Sequence, residues 1–240
     1  MSLLEQWLGY RPYRVADDEL MDDPSAPRHE LFRVYEELEQ INLRLGGHAV
    51  SLEGVRCLVV TDDQPLAVLD VGSGGGDFAR YLAAWAQRAE RDIRVQGLEL
   101  SSAAVEYAEE CSNGHPNVTF RQGDLFDEPD RSWDIVHMSL TLHHFDDEGA
   151  VRMLREMARV GRRGIVVNDL HRHPVAYAAI KAVTRVLSRS PFVRNDAPLS
   201  VNRGFTRDEL HALATAAGLD VRLLGWRPMY RYLLVASRAS

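Results

Sequence analysis

The chain lacks most of the features that assign a protein to a class at once. It has two cysteines in 240 residues, Cys57 and Cys111, far apart and without ligand spacing. That pattern excludes a disulfide framework and a cysteine-based zinc site, and a reducing compartment is expected. No apolar run approaches the roughly 18 residues of a membrane span. Basic residues are outnumbered, 28 Lys+Arg against 35 Asp+Glu, and the net charge of −7 has the wrong sign for tracking a phosphate backbone. The first residues, Glu5 among them, show no basic stretch leading into an apolar one. No signal peptide is therefore expected, and the cytoplasm is the expected location. There is no repeat and no low-complexity tract.

What is present is a soluble composition, 45% hydrophobic and 26% charged, in a chain long enough for one large core and a smaller cap. Its most informative stretch runs from Val68 to Ala79: an apolar run stops at Asp70, enters Gly72-Ser73-Gly74-Gly75-Gly76, and leaves as a helix. This is a strand, a tight turn and a helix N-terminus at the spacing that binds nucleotides. Glycine allows such a turn with a ligand against it because no Cβ intervenes.

Residues 1–27 read as irregular, acidic at Asp17-Asp18-Glu19 and Asp22-Asp23, and broken by Pro12, Pro24 and Pro27. Leu31, Val34, Tyr35, Leu38, Ile41, Asn42 and Leu45 mark one face of a helix that Gly46-Gly47 ends, and 48–60 offers a second short helix. From residue 66, strands at 67–71, 94–98, 118–122, 133–137 and 164–168 alternate with helices at 78–89, 103–111 and 148–160. Such alternation gives a parallel sheet with helices on both faces. Thr206-Arg207-Asp208-Glu209 reads as a capping box opening a helix closed by Gly218. The runs 220–225 and 229–236 follow, joined by Trp226-Arg227-Pro228, too short for a crossover, so they form an antiparallel hairpin. The expected architecture is a Rossmann-like α/β fold: a seven-stranded, mostly parallel sheet with a C-terminal antiparallel hairpin. A helical cap over 1–60, a core over 61–240 and a helical insertion at about 170–205 complete it.

In these elements the chain resembles the class I S-adenosylmethionine-dependent methyltransferases over about residues 66–238. Asp70-Val71-Gly72-Ser73-Gly74-Gly75-Gly76 matches the family's acidic glycine turn, Glu99 ends the second strand, Gly123-Asp124-Leu125 follows the third, and the hairpin closes the sheet. The resemblance implies S-adenosyl-L-methionine as cofactor. Glu99 would accept from the ribose diol and Asp124 from the adenine amino group. Gly72 and Gly74 would let the loop approach, and Asp70 would hold the loop or meet the methionine ammonium. Ser73, Leu100, Leu125 and Ser139 complete the expected cofactor contacts. Each acid has a plainer role open to it: Asp70 as a cap, Glu99 as an exposed acid before Ser101, Asp124 as one of several in an acidic loop. The rival cofactor is NAD(P), because Gly74-Gly75-Gly76-Asp77-Phe78-Ala79 fits G-x-G-x-x-G/A. Asp70 before the glycines, the missing sixth parallel strand and the hairpin disfavour it.

For the acceptor, the informative segment is Ser139-Leu140-Thr141-Leu142-His143-His144-Phe145-Asp146 after the fourth strand. It resembles the Leu-His-Asp-Trp stretch of plant-type small-molecule O-methyltransferases, whose histidine is the general base. His143 matches that histidine, and His144 stands where the family has Asp. A phenol with a pKa near ~10 costs about 4 kcal/mol to ionise at neutral pH, a cost that a base and the sulfonium charge would offset. His143 and His144 are thus the catalytic candidates, with structural or substrate-lining roles as the alternative. His171, leaving the fifth strand, Tyr177 in an apolar helix, and Arg194 are candidate substrate contacts. Arg194-Asn195-Asp196 and Arg203 read as a surface loop whose charges could instead grip polar substituents, and the helix around Tyr177, apolar over most of its circumference, must be covered, by the N-terminal segment, by an apolar acceptor, or by both.

The cap-plus-core plan is similar to bacterial methyltransferases that act on phenols, quinols or polyketides. O-methylation of a small aromatic or polyketide-like acceptor is the leading expectation. C- or N-methylation of a quinone-like compound and a non-catalytic cofactor-binding module are alternatives. A nucleic-acid partner is not expected, since Ser139-Leu140-Thr141-Leu142 replaces the Asn/Asp-Pro-Pro-aromatic stretch of nucleic-acid methyltransferases. No metal is expected, the acids near Asp124 and Asp146 showing no convergent pattern. The expected state is a monomer or homodimer.

Overall fold

A computed structural model describes residues 9–23, 25–59 and 65–239. The reading at Glu5, the break at Pro24 and the outer parts of the 1–60 segment lie outside the described residues. Seven strands, β1 (Leu66–Val71), β2 (Ile93–Glu99), β3 (Val118–Gln122), β4 (Trp133–Ser139), β5 (Gly161–Leu170), β6 (Leu219–Arg227) and β7 (Arg231–Arg238), form one sheet. Its order is β3-β2-β1-β4-β5-β7-β6. The first five are parallel, and β7 runs antiparallel to both β5 and β6. The order reverses between β1 and β4, the point where an open α/β sheet splays its C-terminal strand ends into a crevice.

The helices are α1 (Arg28–Arg44), α2 (Gly47–Leu58), α3 (Asp77–Arg88), α4 (Ser102–Cys111), α5 (Asp147–Val160), α6 (Pro174–Leu187), α7 (Pro191–Arg203) and α8 (Arg207–Ala216). Strand side chains alternate between faces. Val68, Ile135 and Val166 turn to the face covered by α2 and α3, packing with Val55, Leu58, Phe78 and Leu82. Leu69, Val136 and Ile165 turn to the other face, with Leu154 and Met157 of α5 and Leu210 of α8. Both faces are covered, which is why these strands read as near-continuous apolar runs. The capping box forms as read: Thr206 Oγ1 accepts from Glu209 N, and Glu209 Oε2 accepts from Thr206 N at 2.7 Å. The hairpin forms, but its turn lies two residues later than expected: Trp226 and Arg227 pair with Tyr232 and Arg231, and the chain turns through Met229 and Tyr230, with φ of 60° and 55°, the left-handed pair that matches strand twist.

The structure departs from the sequence reading between 170 and 205. The expected loop around Arg194 is a second helix, α7, opened by Ser190 Oγ accepting from Val193 N and by Pro191 in the first turn. Pro198 inside it imitates a break. Asp196 and Arg203, read as surface charges, are buried. The Asp196 carboxylate accepts from Leu20 N and Met21 N, so it pins the N-terminal segment. The cover expected for α6 reaches one side only: Ala176 and Tyr177 are buried, while Val186 and Leu187 stay 79% and 67% exposed.

Within the 1–60 segment the parts separate. α2 belongs to the sheet's own helical layer, contributing Val50, Leu52, Val55 and Leu58 to the core. α1 packs Leu31 and Tyr35 against Ala104 and Tyr107 of α4. Residues 14–22 reach the turn after β4 and the buried face of α7.

Candidate active site

At the end of β1 the chain turns through Gly72 and Gly74, with φ of 64° and 50°, into α3. A Cβ on Gly72 would lie 2.7 Å from the Thr141 side chain, whereas nothing lies within 4 Å of one on Gly74. The loop therefore touches the β4 turn on one side and leaves an open floor on the other. Gly74 N donates to Glu99 Oε2 at 2.9 Å, and Leu100 N and Ser101 N donate to Oε1 at 2.8 and 3.1 Å. Three backbone amides thus fix the carboxylate at the end of β2, with acceptor capacity remaining on Oε2.

Asp124 opens the 3₁₀ turn Leu125–Asp127 by accepting from Phe126 N through Oδ1 at 3.1 Å. Leu125 is buried in the core, Leu100 is exposed, and the Ser73 hydroxyl is buried with no partner among the described residues. Ser139 ends β4, and its carbonyl accepts from Thr141 Oγ1 at 3.0 Å. Asp70 turns to the α2 side: its Oδ1 lies 2.6 Å from His137 Nδ1, and His137 Nε2 lies 2.8 Å from Ser51 Oγ. It anchors a buried polar chain beneath the glycine turn, which Asn168 Nδ2 extends by donating to Ser51 Oγ at 2.9 Å.

The other half of the crevice centres on the 3₁₀ turn Leu142–His144 after β4. Leu140, in the left-handed region with φ 53°, redirects the chain so that Thr141 covers Gly72 and His143 points inward. His143 is buried, with Nδ1 2.7 Å from Asp169 Oδ1, and its backbone N donates to Asp169 Oδ2 at 3.2 Å. Its Nε2 lies 3.5 Å from Glu19 Oε1. His144 places Nδ1 2.9 Å from Asp22 Oδ2 and Nε2 3.8 Å from Glu19 Oε2. Glu19 is itself buried and accepts from Ser200 Oγ at 2.7 Å.

Arg203 ties this assembly together, donating to the carbonyls of His143, His144 and Asp17 at 3.2, 2.8 and 2.7 Å. Arg14 adds a bond to the Phe145 carbonyl and an ion pair with Asp147. Burial alone would lower the His143 pKa, but Asp169 and then Glu19 outweigh it and raise it to about 9. Burial likewise opposes the charge on Glu19 and on Asp169, and His143 holds both below the usual carboxylate range.

The expected substrate contacts are dispersed. His171 lies tilted beside Tyr232 and His173, with ring centroids 4.8 and 5.2 Å away, and burial, then His173, lowers its pKa. Tyr177 is buried against Tyr10 and lines a cavity of about 380 Å³ with Arg11, Asp17, Asn195 and Asn202. None of the expected cofactor residues lines that cavity. Arg194 donates twice to the Ser188 carbonyl, at 3.0 and 2.6 Å, closing the end of α6.

Sequence reasoning missed Glu19, Asp169, Arg203 and Arg231. Asp169 carried a signal, since it leaves a strand on the ligand side of the sheet. Glu19 carried none beyond an acidic stretch. Arg231 is fully buried: its Nη2 donates to Asn42 Oδ1 at 2.9 Å, and its Nε and Nη1 have no partner among the described residues. Burial pulls its pKa down to about 10.

The sheet order, the reversal beside the glycine turn and the carboxylates at the ends of β2 and β3 are those of the Rossmann-like class I methyltransferase fold. An open floor at Gly74 and an orphaned Ser73 hydroxyl fit S-adenosylmethionine as cofactor. Residues 68–164 match the protein family described as a methyltransferase domain. It is similar to a tRNA N(3)-cytidine methyltransferase of Danio rerio, 26% identical over 204 residues that cover 81% of this chain and 56% of that protein. It is also similar to a demethylmenaquinone methyltransferase of Thermotoga maritima, 33% identical over 108 residues, 44% of this chain and 43% of that one. The chain thus spans about half the length of these curated relatives. Among solved structures, human N-acetylserotonin methyltransferase in complex with S-adenosylmethionine superposes with a TM-score of 0.64 at 15% identity, covering 99% of this chain and 62% of that one.

Proposed function

We propose that the protein methylates a hydroxyl of a small, largely apolar aromatic or polyketide-like acceptor, with His143 as the group that takes the hydroxyl proton. The observation that carries this reading is the buried Asp169–His143 pair. Asp169 occupies Nδ1 at 2.7 Å, so the ring presents Nε2 to the crevice two residues from the Thr141–Gly72 contact. A carboxylate on the far nitrogen fixes the tautomer and supports the imidazolium that forms. Glu19 faces the same nitrogen and, with Asp169, favours the protonated ring; His143 can take the hydroxyl proton only once the acceptor has displaced Glu19 and the ring has released its own proton. His144 borders this position.

S-adenosylmethionine would supply an electrophilic methyl group carried on a sulfonium. Glu99 would hold its ribose, Asp124 its adenine amino group, and the backbone of Gly72, Ser73 and Gly74 its methionine end, with Asp70 bracing the loop from beneath. Leu100, Leu125 and Ser139 would flank it. The chain's own task is alignment and exclusion of water. Tyr177 and His171 would contact the acceptor, and Arg194 would do so if its hold on Ser188 is released. The net charge of −7 supports a small acceptor over RNA.

The test is turnover on a panel of phenols, quinols and hydroxylated polyketides, with products mapped by mass spectrometry. His143→Gln should lower turnover by about 10²–10⁴-fold while binding of the demethylated cofactor stays within about twofold. Unchanged turnover overturns the base assignment. A product methylated at carbon or nitrogen moves the chemistry to the quinone-like or amine alternative.

A further inference from the structure

The space between Glu19, His143 and His144 has the dimensions of a metal site. One donor atom from each residue lies within 4.8 Å of the others. The nitrogen–oxygen separations, 3.5 Å from His143 and 3.8 Å from His144, are at or beyond the limit of a hydrogen bond. His143 Nε2 is accordingly left without a hydrogen-bond partner although it is fully buried. A cation bonded at about 2.0–2.1 Å to such donors in a tetrahedron holds them about 3.3 Å apart. The 3.5 and 3.8 Å gaps, one to each Glu19 oxygen, lie within about 0.5 Å of that spacing, and the donor atoms of the set are all within 4.8 Å of one another.

The surroundings are those of a ligand set. Asp169 on His143 Nδ1 and Asp22 on His144 Nδ1 leave both Nε2 atoms as the available donors. This carboxylate–histidine pairing orients metal-binding imidazoles and raises their basicity. Ser200 fixes Glu19, and Arg203 holds the carbonyls of both histidines. His144 is 23% exposed and Asp22 44%, which leaves an entry path.

We propose that Glu19, His143 and His144 bind a divalent transition-metal ion of the zinc or iron(II) kind. Two imidazoles and one carboxylate favour such an ion over magnesium or calcium, and three protein ligands leave a coordination position open. This rests on the acceptor meeting the same cluster: it keeps the acceptor and the methylated hydroxyl of that reading but replaces His143 as the proton acceptor, because Nε2 becomes a ligand. The acceptor oxygen fills the open position, and its proton is lost to solvent through the acidity that coordination confers. With the cation bound, Nε2 is a ligand, and Glu19 stays in place.

The experiment titrates the metal-free full chain with Co²⁺ alone, followed by visible absorption, then displaces it with Zn²⁺. The expected result is one Co²⁺ per chain, with affinity falling about 100-fold or more in Glu19→Gln. A smaller fall, about 10–100-fold, is expected in Asp22→Asn, which removes only an outer partner. His211→Asn, on the exposed face of α8, should bind as the wild type does. Glu19→Gln keeps its shape and a partner for Ser200, and a thermal melt verifies its fold. Absence of stoichiometric binding, or binding indifferent to Glu19→Gln, overturns the site. Turnover that resists chelation yet still falls in His143→Gln also overturns it, while leaving the base reading standing. Co²⁺ binding lost in Glu19→Gln, with turnover unchanged in both variants, overturns the acceptor's place at the metal.

Discussion

The cofactor end and the acceptor end of the crevice differ in how far apart their parts lie along the chain. At the cofactor end, Gly74 is held by Glu99 across 25 residues, and the other bonds to that carboxylate come from its immediate neighbours. At the acceptor end, His144 meets Asp22 across 122 residues and Arg203 meets Asp17 across 186. The first end follows from backbone geometry once two strands pair. The second is complete only when the N-terminal segment has docked against α7, although its His143–Asp169 pair spans just 26 residues and forms without that segment. Damage to that docking should therefore silence the acceptor end and leave cofactor binding intact.

Arg203→Met is the sharpest way to break the comparison. Methionine keeps much of the stem and removes the donors to three carbonyls. Each stranded buried acceptor costs about 1–3 kcal/mol. The loss falls on the turn after β4, through His143 and His144, and through Asp17 on the 9–23 segment, which several polar contacts attach. We expect early proteolytic cleavage within 9–23, acceptor KM raised about tenfold or more, and cofactor affinity within about twofold of wild type. An equal loss of cofactor affinity would show that the two ends are one cooperative unit.

The same contrast decides what the sequence could reveal. The glycine turn, the alternating strands, the Thr206–Glu209 capping box and the terminal hairpin are written in neighbouring residues, and each forms, the hairpin with its turn two residues later than expected. The pairing of Glu19 with His143 is not, because no local pattern says which distant segment a lone acid will reach. Arg203 and Asp196 were misread for one reason: a charged residue looks solvated until the chain that needs it is in place. α7 reads as a loop, although Ser190 and Pro191 open it and a helix interior accepts Pro198 at a cost when tertiary contacts hold the rest. Asp70 shows the converse. Its place before the glycines was legible, but its partner His137 is a strand residue whose side chain only the sheet register brings beside it.

A smaller effect tests the cofactor end alone. Glu99→Ala removes the acceptor for three backbone amides and the proposed ribose contact together. The expected loss is about 10–100-fold in affinity for the demethylated cofactor, or roughly 1.5–3 kcal/mol, measured by calorimetry. Acceptor KM at saturating cofactor should not move. A parallel rise in that KM would mean that Glu99 shapes both ends, and the comparison would fail from the other side.

The smallest effect lies at the joint between the ends. Asp77 follows the glycine turn, yet its Oδ2 faces the N-terminal helices, 2.8 Å from His48 Nε2 and accepting from Asn42 Nδ2 at 3.1 Å. Burial would raise its pKa, but the His48 ring, Asn42 and the Phe78 amide outweigh burial and hold it below the ordinary carboxylate value. A lowered folded pKa means that the charged form is the one folding favours. Its contribution is complete above the unfolded value of about 3.9 and disappears as pH falls through the lower folded value. Asparagine has no such titration. The stability gap between wild type and Asp77→Asn, about 1–2 kcal/mol at neutral pH, should therefore close below about pH 4 when urea midpoints are compared across pH. A gap that persists in acid would show that shape and neutral hydrogen bonds, not charge, hold the joint. A loss of cofactor affinity as large as that of Glu99→Ala would place Asp77 at the cofactor end itself, and the boundary between the two ends would move from the glycine turn to α2.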